Sequence, residues 1–332
     1  MKKILITGGA GFIGTNIIAE LANFDCEIVA IDNLSNSYQS HINSIQSEKL
    51  VFKKIDLLNL KKMDRLFKAE NFDIVIHMAS KKYIGESFVK QNEYFENNIT
   101  ATQYLLDLMT KYGVKNLVFA SSMTVYGTQE VLPIKESTPL SPESPYAITK
   151  SLNEKMIKIW SKSTNSRALI FRMSNPIGAN TTYMLGDHNL TGSKNVLSYL
   201  IECAYDHKEA IIVGGSPTKD GTTTRNYIHI SDIARAYKAG VEKFDNWTFT
   251  DSTKIYNLGN SEEISVLDLL KEVENTANTK INYSFKKRKE GDVVRLTTCV
   301  SLVKKDLKFK PEKTLHDIID SEIQFNKFIN KK

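Results

Sequence analysis

The chain has 332 residues, of which 41% are hydrophobic and 25% charged, with a formal charge of +6. That length allows one large or two moderate domains. The modest, interspersed charge excludes the concentrated basic face of a nucleic-acid binder, while suiting an anionic small ligand. The three cysteines, Cys26, Cys203 and Cys299, are far apart and lack Cys-x-x-Cys spacing. This argues against a disulfide framework or zinc site and fits a reducing cytoplasm.

Met1-Lys2-Lys3-Ile4-Leu5-Ile6 has the charge-then-apolar order of a secretory leader, but the apolar run stops at Thr7-Gly8-Gly9, short of an h-region. No later run approaches bilayer length, so a soluble cytoplasmic protein is expected. Ile4 to Thr7, Glu27 to Ile31, Phe72 to Met78, Asn116 to Ser121 and Ala168 to Met173 read as buried strands, and Leu50 to Ile55 as an apolar strand-like stretch. Phe12 to Leu21 and Ile99 to Tyr112 carry helical spacing. This alternation predicts an α/β fold with a doubly wound parallel Rossmann sheet and right-handed crossovers. After Asn175-Pro176 the texture changes. Asn180 to Ser193 reads as a loop, and a helix capped by Ser231 is expected over Asp232 to about Val241. The division predicted is a dinucleotide domain over 1–174 and a smaller α/β substrate domain over 175–332, with some later segments returning to the first.

Gly8-Gly9-Ala10-Gly11-Phe12-Ile13-Gly14 follows the first strand and opens the first helix. Gly8 permits the tight turn, Gly11 the approach of a pyrophosphate, and Gly14 close helix–strand packing; the helix N-terminus then offers amides and a favourable dipole. The second strand ends in Asp32, where a carboxylate grips ribose hydroxyls and repels a ribose phosphate, so NAD is favoured over NADP. Asp56, after the third strand, stands where a side chain meets the adenine edge, although a turn acid is the simpler reading of that residue alone.

Ser121-Ser122 closes the fifth strand, and Ser144-Pro145-Tyr146-Ala147-Ile148-Thr149-Lys150 follows. Ser144 suits a helix cap and Pro145 a first turn, which puts Tyr146 and Lys150 one turn apart on one face. A free tyrosine, with a pKa of about 10, is a poor base at neutral pH. A neighbouring ammonium and the positive helix end favour its phenolate. Tyr146 then takes a proton from a hydroxyl while hydride leaves the same carbon, and Ser122 holds that hydroxyl. His77 and His229 read as structural, and the six histidines show no metal-ligand spacing, so no metal is predicted.

These residues carry a resemblance to the extended short-chain dehydrogenase/reductases, and among them to the UDP-glucose 4-epimerase family. The likeness runs through the glycine fingerprint, Asp32-Asn33-Leu34-Ser35-Asn36-Ser37, Gly85-Glu86-Ser87 and Ser121-Ser122-Met123-Thr124-Val125-Tyr126-Gly127. It continues in the Tyr146/Lys150 pair, Asn175-Pro176-Ile177-Gly178-Ala179, Arg225-Asn226-Tyr227-Ile228-His229 and Tyr256-Asn257-Leu258-Gly259. The resemblance implies that Asn33, Asn36 and Ser37 line the adenosine ribose and that Asp56 and Leu57 flank the adenine. It places Met78, Ala79, Lys82 and Asn97 along the dinucleotide, and a nicotinamide-ribose bond on Lys150. It further implies a UDP-sugar held by Ser122, Thr124, Asn175, Asn195, Arg225, Lys289 and Asp292. In that family the tyrosine removes the 4-hydroxyl proton of a UDP-hexose, hydride passes to NAD, and the 4-keto sugar turns and takes the hydride back on its other face.

Three positions depart from the family pattern. Met173-Ser174 replaces an aromatic pair expected to face the nicotinamide and sugar, Lys289 replaces an arginine, and Leu296 is intermediate where the family limits its sugar pocket. A UDP-N-acetylhexosamine or UDP-pentose 4-epimerase therefore stays open beside the UDP-galactose/UDP-glucose reading. A 4,6-dehydratase is disfavoured because Met123-Thr124 stands where those enzymes carry an acid pair, and a non-catalytic NAD-binding regulator because Tyr146 and Lys150 are both present. The basic run at 286–289 reads as a solvated face beside the diphosphate site, so no nucleic-acid partner and no membrane partner is expected. The resemblance also implies a homodimer, formed through the Ile99 to Tyr112 and Lys150 to Ser161 helices.

Overall fold

A computed structural model describes residues 1–188, 190–192, 194–287 and 293–331. Strands β1 (Lys2–Thr7), β2 (Cys26–Asp32), β3 (Leu50–Lys54), β4 (Ile74–His77), β5 (Asn116–Ser122) and β6 (Arg167–Met173) form a parallel sheet. The Thr253–Leu258 strand joins it beside β6, giving seven strands in the order Thr253–Leu258, β6, β5, β4, β1, β2, β3. Both faces are covered, as the near-continuous apolar runs require. Side-chain alternation along β1 shows how: Ile4 and Ile6 enter one core with Ile17, Leu21 and Tyr237. Leu5 enters the other with Val75, Leu117 and Trp160.

The Phe12–Leu21 helix spans the predicted range. The other helices differ in instructive ways. The expected Ile99 to Tyr112 helix begins at Ala101, after a π-helical turn over Glu96–Thr100. There the Asn98 carbonyl accepts from the Asn153 amide at 2.8 Å and the Thr102 hydroxyl at 2.6 Å, and such side-chain intrusion widens a helical turn. The Ile230–Lys243 helix is capped by His229, not by Ser231: His229 Nδ1 accepts from the Ser231 amide at 3.0 Å. That hydrogen bond and a 3.1 Å contact with Ser321 Oγ occupy both ring nitrogens. His77 is likewise buried in the core, between the hydroxyls of Thr7 at 2.7 Å and Thr102 at 3.0 Å.

Beyond β6 the chain builds smaller sheets. Asn175–Ile177 pairs with Tyr227–His229; Thr224–Arg225 lies between Ile264–Ser265 and Arg295–Leu296; Tyr283–Lys287 pairs with Ala210–Gly214. The Val196–Tyr205, Val266–Ala277 and Leu315–Ile329 helices share a core of Leu197, Leu200, Leu269, Val273, Ile319 and Ile323. Capping boxes at Ser265 and Thr314 fix where two of them start. The sheet order reverses between β1 and β4, and in such folds ligands bind outside the carboxyl ends of the strands at that point.

Candidate active site

At this switch point Gly8 has φ +69°, and a Cβ there would come within 2.7 Å of the Ala79 nitrogen. A Cβ on Gly14 would overlap the Gly8 carbonyl oxygen. Both glycines are thus required by the close approach of the turn to the end of β4 and of the helix to the turn. The first helix opens at Gly11 with no side-chain cap among the described residues, leaving its first amides to an anion. A Gly14→Ala variant must push the helix off the turn. Overpacking of this kind costs about 1–3 kcal/mol, so NAD affinity is expected to fall roughly tenfold to a hundredfold. Absorbance of cofactor released from the purified, denatured protein measures the retained NAD.

Asp32 is held by three neutral donors: the Ala10 amide at 3.1 Å, the Leu34 amide at 2.8 Å and the Ser37 hydroxyl at 3.0 Å. Burial raises its carboxyl above the usual range. Asn33 donates to Asp56 at 2.9 Å, joining the ends of β2 and β3. A cleft of about 410 Å³ runs along these strand ends. It brings together every residue named for the dinucleotide: Gly8, Gly11, Phe12, Ile13, Gly14, Asp32, Asn33, Asn36, Ser37, Asp56, Leu57, Met78, Ala79, Lys82, Asn97, Tyr146 and Lys150. Lys82 there pairs with Asp187 at 3.0 Å.

The Pro145–Ser163 helix carries Tyr146 and Lys150. Ser144 caps it by accepting from the Ala147 amide at 3.2 Å. Lys150 Nζ donates to the Ala120 carbonyl at 2.8 Å and sits 5.8 Å from the Tyr146 ring centroid. Burial pushes Lys150 down to about 7 and the Tyr146 phenol up to about 12, the latter opposed by a hydrogen bond with Ser122. Ser122 Oγ also accepts from the Thr124 amide at 3.3 Å and the Thr124 hydroxyl at 3.0 Å. Ser122 and Thr124 therefore adjoin Tyr146, just past Ser121, which lines the cleft.

The residues named for the nucleotide sugar are more dispersed. Asn175 and Arg225 come close through strands, the Asn175 amide donating to the Asn226 carbonyl at 3.2 Å. Arg225 donates to the carbonyls of Thr224, Val294 and Val293 at 2.8, 3.2 and 2.7 Å. Asn195 is the N-cap of the Val196–Tyr205 helix, accepting from the Ser198 amide at 2.9 Å, and meets Asp187 of the cleft at 3.5 Å. Lys289 and Asp292 lie outside the described residues. Of the Met173-Ser174 pair, Met173 lines the cleft; Ser174 is buried with no hydrogen-bond partner for its hydroxyl among the described residues, lying where a Cβ on Gly259 would come within 2.5 Å of it. Leu296 is buried among Met123, Val125, Tyr126 and Ile134.

Sequence reasoning missed two groups. Asn98 holds the backbone of Lys81 from both sides, at 2.8 and 3.1 Å, and donates to Thr149 Oγ1 at 3.1 Å, tying the wall of the cleft to the catalytic helix. Glu154 and Arg172 form a buried ion pair beneath Lys150. The spacing 146, 150, 154 was a visible helical signal for Glu154, and an arginine inside the apolar run of β6 was one for Arg172.

The fold and this cleft define a dinucleotide-binding enzyme with a tyrosine and a lysine one helical turn apart at the end of its cleft. The model of the NAD dependent epimerase/dehydratase family matches residues 4–259. The chain is 36% identical over 321 residues to UDP-glucose 4-epimerase of Bacillus subtilis, covering 95% of this chain and 94% of that one. Among solved structures it is similar to UDP-glucose 4-epimerase of Bifidobacterium longum in complex with NAD+ and UDP, with a TM-score of 0.92, 32% identity and 98% of each chain covered. It also resembles the enzyme of Stenotrophomonas maltophila with NAD and formylated UDP-arabinopyranose, with a TM-score of 0.94, 29% identity, and 100% and 99% coverage. This chain belongs to the NAD-dependent epimerase/dehydratase family, and its cofactor is NAD. The residues present fit that cofactor: the glycine cradle would be filled by any Cβ on Gly8 or Gly14, the helix end beside it is uncapped, and Asp32 stands where a ribose phosphate would be repelled.

Proposed function

We propose that this chain interconverts UDP-galactose and UDP-glucose by epimerisation at C4. The observation that carries the reading is Lys150, fixed to the Ala120 carbonyl and 5.8 Å from the Tyr146 ring, at the end of a dinucleotide cleft in a chain of this family. The glycine cradle and Asp32 would hold NAD, which would supply the hydride chemistry at the sugar C4 and a positive charge near Tyr146. Ser122 orients the 4-hydroxyl, and Tyr146 Oη takes its proton. Burial, opposed in part by the Ser122 hydrogen bond, holds the Tyr146 phenol near 12, so at neutral pH the phenolate depends on cations; Lys150 supplies one of them. The same Oη returns the proton after the sugar has turned. Asn175, Asn195, Arg225, Lys289 and Asp292 hold the nucleotide, and an arginine fork suits a diphosphate.

Incubating the purified protein with UDP-galactose, without added NAD, and chromatographing the products tests this reading. UDP-glucose is the expected product, and its absence at any enzyme level would sink the assignment. UDP-N-acetylgalactosamine and UDP-arabinose run in parallel define the breadth of the pocket.

The same proposal includes a homodimer in the cytoplasm. On the Pro145–Ser163 helix, Ile148, Leu152 and Ile159 are 37%, 39% and 70% exposed. Their spacing forms an apolar seam of the kind that packs against a second helix, and a second copy of this chain is its proposed occupant. Ile159→Glu is expected to shift the protein from dimer to monomer by light scattering; an unchanged dimer would remove the seam from the interface. The cysteines Cys26, Cys203 and Cys299 are all unpaired, which suits a reducing compartment. No described helix is long and apolar enough to cross a membrane.

A further inference from the structure

We propose that Glu154 is a positioning residue for the Tyr146/Lys150 pair, clamping the catalytic helix to the end of β5 and supplying the negative charge that Lys150 faces. The proposal rests on the epimerase reading only for its turnover readout.

Tyr146, Lys150 and Glu154 occupy successive turns of one helix. Lys150 Nζ donates to the Ala120 carbonyl at 2.8 Å, and the next residue of β5, Ser121, donates its hydroxyl to Glu154 Oε1 at 2.5 Å. The helix is therefore fastened to two adjacent residues of β5, and the residue after them is Ser122. Arg172 stands opposite Ser121 in the β5–β6 register. It holds the Glu154 carboxylate from Nε at 2.9 Å and Nη2 at 2.6 Å. From its other side Arg172 donates to the Tyr126 hydroxyl at 2.6 Å, which in turn donates to Asn257 at 2.7 Å. The carboxylate is thus oriented from β5, β6, the Met123–Tyr126 turn and the Thr253–Leu258 strand.

Glu154 is 1% exposed and Arg172 2%. A buried ion pair is weak evidence for stability, because an apolar pair of similar volume is often as stable. A role in the neighbouring chemistry accounts for its presence better. The groups around Lys150 that carry or can take charge are Tyr146 and Glu154 on its own helix, His77 on β4, and Arg172 on β6, which meets it through Glu154. β5 contributes the Ala120 carbonyl and the Phe119 ring. Burial holds His77 neutral, with a pKa of about 3, and Tyr146 protonated in the resting site. Glu154 is the anion of the set, and its field opposes the burial that lowers Lys150.

Two variants test the two parts of the clamp. Glu154→Gln keeps the shape and an acceptor for Ser121 but removes the charge. Ser121→Ala keeps the ion pair and removes the bond to β5. In protein carrying ¹³C-labelled lysine, the Lys150 signal is identified by its absence from Lys150→Arg. In Glu154→Gln its titration midpoint is expected about one pH unit below that of the parent, and the alkaline limb of the kcat profile should move with it. An unmoved midpoint, or a loss of kcat that is uniform across pH, overturns the charge role. Ser121→Ala is expected to lower kcat by about tenfold to a hundredfold with KM and the alkaline limb unchanged; a kcat within twofold of the parent overturns the clamp. If Glu154→Gln does not fold, Ser121→Ala decides. If the parent protein turns over no UDP-sugar, the lysine titration still decides, and only the reading of the substrate has failed.

Discussion

Tyr146→Phe is expected to lower kcat by roughly 10²–10⁴-fold while leaving the chain folded and loaded with NAD. The phenyl ring preserves the packing beside Lys150, which stays anchored on the Ala120 carbonyl. What disappears is the phenol oxygen proposed to take the 4-hydroxyl proton. Ser122 remains, but a serine hydroxyl without a base partner cannot replace it. Bulk water is a far weaker base than a phenolate and is not positioned on the hydroxyl. Steady-state turnover together with the cofactor content of the purified variant checks this. A variant retaining turnover within tenfold of the parent would remove Tyr146 from the proton step.

Arg172→Met is expected to destabilise the fold by about 3–5 kcal/mol, because it leaves the Glu154 carboxylate buried without its counter-charge. Methionine follows the stem of the arginine, so lost volume is a minor part of the effect. The Tyr126 hydroxyl loses its donor at the same time, which loosens the turn that presents Ser122 and Thr124. Denaturant midpoints measure the loss. The double variant Glu154→Leu with Arg172→Met should recover most of the stability, since it removes both buried charges, yet turnover should stay low. Recovery of both would mean that the pair has no bearing on the chemistry.

The cofactor end was legible because its signals are local. Gly8 and Gly14 are demanded by a turn only a few residues long, and Asp32 ends a strand whose apolar run is plain in the sequence. The π-helical turn at Glu96–Thr100 was not legible. It depends on Asn98 bonding Lys81 and on Asn153 reaching back to the Asn98 carbonyl, and these partners are 17 and 55 residues away. His229 and Ser231 show a subtler failure. Serine is the commoner cap, but here the histidine ring reaches the same amide, and the choice was made by Ser321 on a distant helix. Asn195 and Arg225 were identified through family resemblance, and the structure adds work that resemblance does not reveal: one caps a helix, the other bonds the carbonyls of Val293 and Val294. A polar residue with a local bonding task can also face a ligand, and sequence spacing does not separate the two duties.

The position of the Thr253–Leu258 strand also governs how the chain comes together during synthesis. Residues 1–174 contain six strands of the central sheet, yet the exposed edge of β6 finds its neighbour only after about eighty further residues have been made. Until then Phe171 lacks Tyr256, whose ring later lies 6.0 Å away. A nascent chain halted before residue 258 thus carries an open sheet edge beside β6. A cofactor that binds the folded sheet and not the open chain stabilises the closed form by mass action.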